Sequence, residues 1–188
     1  MTALLLSLHV LAAILTVGPV AITASMFPRV ARRALAAPDD ASAAAAARPL
    51  HRVTRVYAVV GAAVPVLGYA TGASLGVLSD AWLIASMVLT AGAAVVLVAL
   101  VLPGQRRVLA ALDTTADAHT VAATASHAAG ERPAGTDQPA AADGLDPEPP
   151  APDMTRRLAM HAGLFNLLWA VVVVLMVYRP GSTTGAGL

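Results

Sequence analysis

The chain contains no cysteine and no lysine. The first absence removes disulfides, zinc–thiolate centres and cysteine nucleophiles from consideration. The second leaves all 12 basic residues as arginine. With the abundance of Ala, Gly and Pro, this reads as the nucleotide bias of a GC-rich bacterial genome and says nothing of function. Charge is scarce: 12% of the 188 residues are ionised side chains, where a soluble domain carries about 25%. The net charge of +1 offers no basic surface, so no nucleic-acid partner is expected. No serine sits in a nucleophile elbow, no glycine-rich phosphate loop is present and no pair of carboxylates lies in an apolar stretch. These absences weigh against an enzyme.

What the chain has instead is 57% hydrophobic residues, gathered into four runs: Ala3–Phe27, Val53–Leu75, Ala81–Leu102 and Leu158–Tyr178. Each is about 20 residues or longer, enough for a helix to cross ~30 Å of hydrocarbon. The first run lacks a basic segment before it and is longer than the core of a secretion signal, so it is expected to be retained. The sequence therefore predicts an all-α, four-helix transmembrane bundle forming one membrane domain over residues 1–188.

The arginines orient it. Eleven of the 12 lie in or beside the gaps 28–52 and 103–157, and only Arg179 lies elsewhere. Basic loops stay in the cytoplasm. Both termini are thus expected outside, and both long loops inside, the cytoplasmic membrane of a bacterium. The loops carry helical signals of their own. Ala41–Ala47 is nearly pure alanine behind the cap candidates Asp39, Asp40 and Ser42. Gln105–Ala125 reads as a weakly amphipathic extension of the third helix. Gly130–Asp153, rich in Pro, Gly, Asp and Ala, has too little apolar surface to offset its ordering entropy and is predicted to be disordered.

Gly68, Gly72 and Gly76 fall four apart, a small-residue pattern that lets helix backbones approach closely. It serves either another helix of the same bundle or a face for a second copy or a membrane partner. Pro19, after Gly18, and Pro65 should kink their helices. Trp82 and Tyr178 are expected at the outer interface, Phe27 and Tyr57 at the inner one. Trp169, in mid-run, is either packing or one wall of a cofactor pocket.

Ionisable groups at membrane depth are functional candidates by default. His9 is one, and Tyr69 and Ser86 lie at similar depth on the second and third helices. The three are candidate cofactor-binding residues, with His9 either satisfied by a neighbouring hydroxyl or acting as a haem or metal ligand. Asn166 is expected to make an interhelical hydrogen bond, with Thr16 its partner by depth. Met26, His51 and His161 gather toward the inner face, and their soft and imidazole donors would suit copper.

The opening stretch SLHVLAAILTVGPV resembles the first helix of bacterial membrane proteins of the copper-resistance-D and protoporphyrinogen-oxidase-J types. The closing stretch LWAVVVVLMVYRPG, with Met176, Arg179 and Pro180, is similar to the last helix of an uncharacterised bacterial family of four-helix membrane proteins. The resemblance spans the four helices and their order, but not Gly130–Asp153. It implies a four-helix bundle in which His9 takes the place of a candidate haem ligand. Those relatives also use a basic residue deep in a later helix, and the third run here has none.

On this reading the protein is a small accessory or structural component of the membrane, without a cofactor. The alternative is a haem- or metal-binding redox-related protein that uses His9. A small-molecule permease is the third, resting on the two proline kinks.

Overall fold

A computed structural model of the chain describes residues 2–37, 40–130 and 152–181. They form α1 (Thr2–Ala36), α2 (Ala41–Val60), α3 (Ala63–Leu75), α4 (Ala81–Val95), a π-helical segment (Val96–Val101), α5 (Leu102–Gly130) and α6 (Pro152–Tyr178), with no strand among the described residues. Taken as continuous rods these make four helices long and apolar enough to cross a membrane: Thr2–Ala36, Ser42–Leu75, Ala81–Ser126 and Asp153–Tyr178. The chain is a multi-pass membrane protein. Its large apolar side chains stand on the outside of every span, Ile14, Val66, Val88 and Leu167 among them. Lipid tails are as apolar as these side chains, so they need no protein partner.

The helices outrun the apolar runs. α1 continues through Pro28 to Ala36, α5 reaches Gly130, and α6 begins at Pro152. Hydropathy marks where a helix leaves hydrocarbon; arginine and alanine are strong helix formers, so the helix itself carries on. Gly130, Pro152 and Asp153, expected in the disordered stretch, are accordingly helical, and the rest of that stretch lies outside the described residues.

Asp40 caps α2, accepting from the amides of Ser42 (3.0 Å) and Ala43 (3.3 Å) and from the Ser42 hydroxyl. The Ser42 hydroxyl, then the Ala43 and Ser42 amides, hold the Asp40 carboxyl below its ordinary value of 3.8. A carboxyl depressed in the folded state stabilises above its unfolded pKa, and the contribution is lost as pH falls through the folded value. The protection of the Ser42 and Ala43 amides, measured against their intrinsic exchange rates, should therefore fall in acid, and should be lower at neutral pH in Asp40→Ala. Asp40→Asn, which keeps a capping oxygen, should remove the acid dependence.

Two prolines shape the spans. Pro65 has no N–H for the Gly61 carbonyl, which takes the Val64 amide instead at 3.0 Å. The second span is thus interrupted at Gly61–Ala62, four residues before the proline, as its ring and missing donor dictate. Pro103 acts the same way on the Ala99 carbonyl, and the turn before it widens into the π segment, where the Leu102 amide reaches back to Leu97. α1, by contrast, stays helical through both Pro19 and Pro28.

Packing closes the bundle at one end only. At the arginine-rich end α1 packs on α2 and α6, α6 on the π segment, and α5 on α2. The main apolar core lies there, from Val20 to Ala34 on α1 with Ala47, Val101, Val108, Leu158 and Phe165. Phe27, expected at the interface, is fully buried in this core. At the other end α1 packs on α3, α6 on α1 and α4, but α3 and α4 scarcely touch. A Schellman turn joins those two: the Val77 amide bonds Gly72 O at 3.1 Å and the Gly76 amide bonds Ala73 O at 3.2 Å. Gly76 sits at φ +70°, a backbone state that favours glycine at this position.

Candidate functional site

The splayed end holds a cleft of about 500 Å3 lined from α1, α3, α4 and α6. His9, Thr71, Trp82, Thr90, Trp169 and Arg179 supply its polar and aromatic groups; the other walls are aliphatic or glycine. A second cavity of about 230 Å3 adjoins it toward the middle of the bundle. Val64, Thr90 and Trp169 line both. Predominantly apolar walls with a few polar groups are the usual make-up of small-molecule sites, which run to about 300–1,000 Å3.

His9 is 8% exposed. Its Nδ1 lies 3.1 Å from the Val64 carbonyl oxygen, an acceptor only, so Nδ1 carries the proton. Nε2 has no hydrogen-bond partner among the described residues. It is not enclosed either: among the described residues the fully buried polar side-chain atoms without a partner are Gln105 Nε2 and Asn166 Oδ1. Nε2 therefore keeps an approach from the cleft. Gly68 makes room for the ring, since a Cβ there would stand 2.9 Å from His9 Cε1.

The three predicted partners separate. Tyr69 is 55% exposed on the lipid side of α3. Ser86 is buried, but its hydroxyl donates to the Trp82 carbonyl one turn back at 2.8 Å. Thr16, Thr54 and Thr71 bond the carbonyl four residues earlier in the same way. An internal bond of this kind is the nearest way to satisfy a hydroxyl in hydrocarbon. Thr16 thus does not reach Asn166, whose Nδ2 donates to Ser25 Oγ at 2.9 Å. α1 and α6 run antiparallel, and Asn166 sits nearer the arginine-rich end than its place in the run suggested.

The glycine pattern resolves into three jobs. Gly68 faces His9, Gly72 faces Leu83 and Leu78, and Gly76 ends α3. The first two serve contacts within the chain. Met26 is 48% exposed, His51 Nδ1 donates to Gln105 Oε1 at 2.8 Å, and His161 lines a cavity apart from either. Among the described residues no group of three His, Cys, Asp or Glu side chains is placed to hold a metal ion.

The mouth of the cleft is built around Trp82. Trp82 is 7% exposed, where an interfacial position was expected. Its Nε1 donates to Asp80 Oδ2 at 3.0 Å, and the Arg179 guanidinium lies 5.5 Å from its ring centre, within cation–π range. Tyr178, beside Arg179, is exposed as an interfacial residue would be. The Val64 carbonyl, a backbone group, is a partner for His9 that residue types at a given depth do not reveal. Comparison of the chain with family models, with curated proteins and with solved structures yields no match.

Proposed function

We propose that the protein is a small non-enzymatic accessory component of the bacterial cytoplasmic membrane, whose bundle holds an apolar-bodied ligand in the cleft beside His9. The arginine distribution supports placing the His9 end outward and the two long loops in the cytoplasm. The observation that carries the binding reading is the pairing of an apolar cleft with one imidazole nitrogen that has no partner within the described chain and faces open space. Arg179 at the mouth adds a cation that suits a ligand bearing a carboxylate. Only two tryptophans occur in the chain, and both line this cleft. Tryptophan emission is therefore a direct reporter. Titration of the detergent-purified protein with a nitroxide-labelled fatty acid should quench it saturably, and unlabelled fatty acid should reverse the quenching. Quenching that rises linearly with probe, with no competition, would count against a site.

A second reading is favoured by one specific contact. A metal-bound histidine usually donates its other ring N–H to a carbonyl or carboxylate, and His9 donates Nδ1–H to Val64 O. His9 would suit a haem ligand in that respect, and the first-helix resemblance singles out the same residue. When bound, haem would supply the redox chemistry, His9 its protein ligand and Arg179 a partner for a propionate. Haem added to the purified protein should then give a sharpened Soret band that His9→Ala abolishes. An identical spectrum in the variant, or no band beyond free haem, rules this reading out and leaves the first to the quenching experiment.

A further inference from the structure

A separate cleft of about 540 Å3 opens at the arginine-rich end, between the start of α5 and the first turns of α6. Arg107, Arg157 and His161 line it, together with one acid, Asp153, and apolar walls that include Leu100 and Met154. Neither arginine has an ion pair or hydrogen bond among the described residues, although Asp153 shares the cleft. Two backbone features make this space. The π segment that precedes Pro103 forms one wall through Ala99 and Leu100. Gly104 brings α6 in close, since a Cβ there would lie 2.9 Å from Leu158 Cδ1. The helices touch at Gly104 and Leu158, and the cleft opens beside that contact.

Its level is fixed by the sequence. The third apolar run ends at Leu102 and the fourth starts at Leu158, so the cleft straddles the boundary where the helices leave hydrocarbon. A guanidinium there faces the phosphate layer of the membrane itself. Below it, Leu100 and Leu164 are exposed apolar surface.

We infer that this cleft seats the headgroup of an anionic phospholipid. Arg107 and Arg157 engage its phosphate oxygens, the fork of each guanidinium matching a phosphate edge. The His161 ring supplies a further N–H, and an acyl chain follows Leu100 and Leu164 into the bilayer. Basic clefts between spanning helices are a recurrent headgroup site. A zwitterionic lipid brings its own cation and leaves one arginine unmatched, so the site discriminates by headgroup charge.

The test is native mass spectrometry of the full-length protein in detergent, titrated with short-chain phosphatidylglycerol, short-chain phosphatidylcholine and inorganic phosphate. Phosphatidylglycerol should bind at least about tenfold more tightly than phosphatidylcholine. Arg107→Gln with Arg157→Gln should weaken it about thirtyfold, on the order of fivefold for each arginine. Arg106→Gln with Arg156→Gln, exposed neighbours that do not line the cleft, should change it less than about threefold. All four positions are exposed, and circular dichroism checks that each variant is folded. Equal losses in the two pairs would mean a diffuse basic collar and overturn the site. Inorganic phosphate competing as well as the lipid would overturn the lipid as its source. Affinity that emerges only after Glu131, Asp137, Asp143, Asp146 and Glu148 are neutralised would show the arginines matched by the chain's own acidic segment, and would overturn it too.

Discussion

Phe27→Ala should destabilise the bundle by about 2 kcal/mol. Phe27 is completely enclosed in the core at the arginine-rich end. In a water-soluble core this truncation costs about 3–5 kcal/mol, a sum of transfer and cavity terms. Between helices in lipid the transfer term shrinks, because the separated helices would face hydrocarbon anyway. The cavity term remains: roughly 100 Å3 vacated at about 24 cal/mol per Å3 gives the 2 kcal/mol. Phe27→Trp makes the test sharp. An interfacial aromatic accepts tryptophan readily; a fully enclosed phenylalanine does not, and overpacking should cost about 1–3 kcal/mol. Unfolding in mixed micelles with rising SDS, followed by circular dichroism, measures both. Losses under about 0.5 kcal/mol for the pair would return Phe27 to the interface.

Gly68→Ala should lower stability by about 1–3 kcal/mol, the usual range for an extra methyl forced into close packing. The added Cβ would meet the His9 ring at 2.9 Å. A ring displaced from Gly68 strains its 3.1 Å bond to Val64, and losing that bond leaves a polar N–H in an apolar cleft. In a His9→Ala background the same substitution has nothing to strike and should be close to neutral. The double-mutant cycle should therefore show a coupling of at least about 1 kcal/mol, well above the roughly 0.3–0.5 kcal/mol scatter of independent sites. Additivity within that scatter would mean that Gly68 does not hold the ring. The same variant should also weaken ligand quenching of the tryptophans, since it displaces the one imidazole in the cleft.

The spans were legible because 20 apolar residues in a row have few other uses. So were the helical starts in the loops: Ala41–Ala47 behind Asp40 and the stretch after Gln105 both lie in helices. What the sequence withheld is direction around each helix. Trp82 and Phe27 are aromatic residues near the ends of spans, and composition puts such residues in the interfacial belt. Both turn inward, because packing decides which face of a helix meets its neighbours. Axial register was similarly hidden. Asn166 lies mid-run, yet its partner is Ser25 and not Thr16, because the limits of two apolar runs do not fix how the antiparallel helices are set against each other. His9 was found by its type at depth. Its partner was not, because a backbone carbonyl has no letter of its own. The π segment carried one clue in Pro103, but a proline announces a disturbance without saying which one.

The third span continues as a single helix from Ala81 to Ser126, 46 residues in all, and α5 runs on to Gly130. Gly104 is level with Leu158 on antiparallel α6. From that level Gly130 lies about 39 Å along the axis and Pro152 about 9 Å along the same direction, at 1.5 Å per residue. Any connector between those two ends must therefore span about 30 Å. An extended chain covers at most about 3.3–3.6 Å per residue, so about nine residues are the shortest connector that leaves the rod at full reach. A deletion variant with fewer must peel α5 back turn by turn, which shortens how far this helix stands off from the membrane.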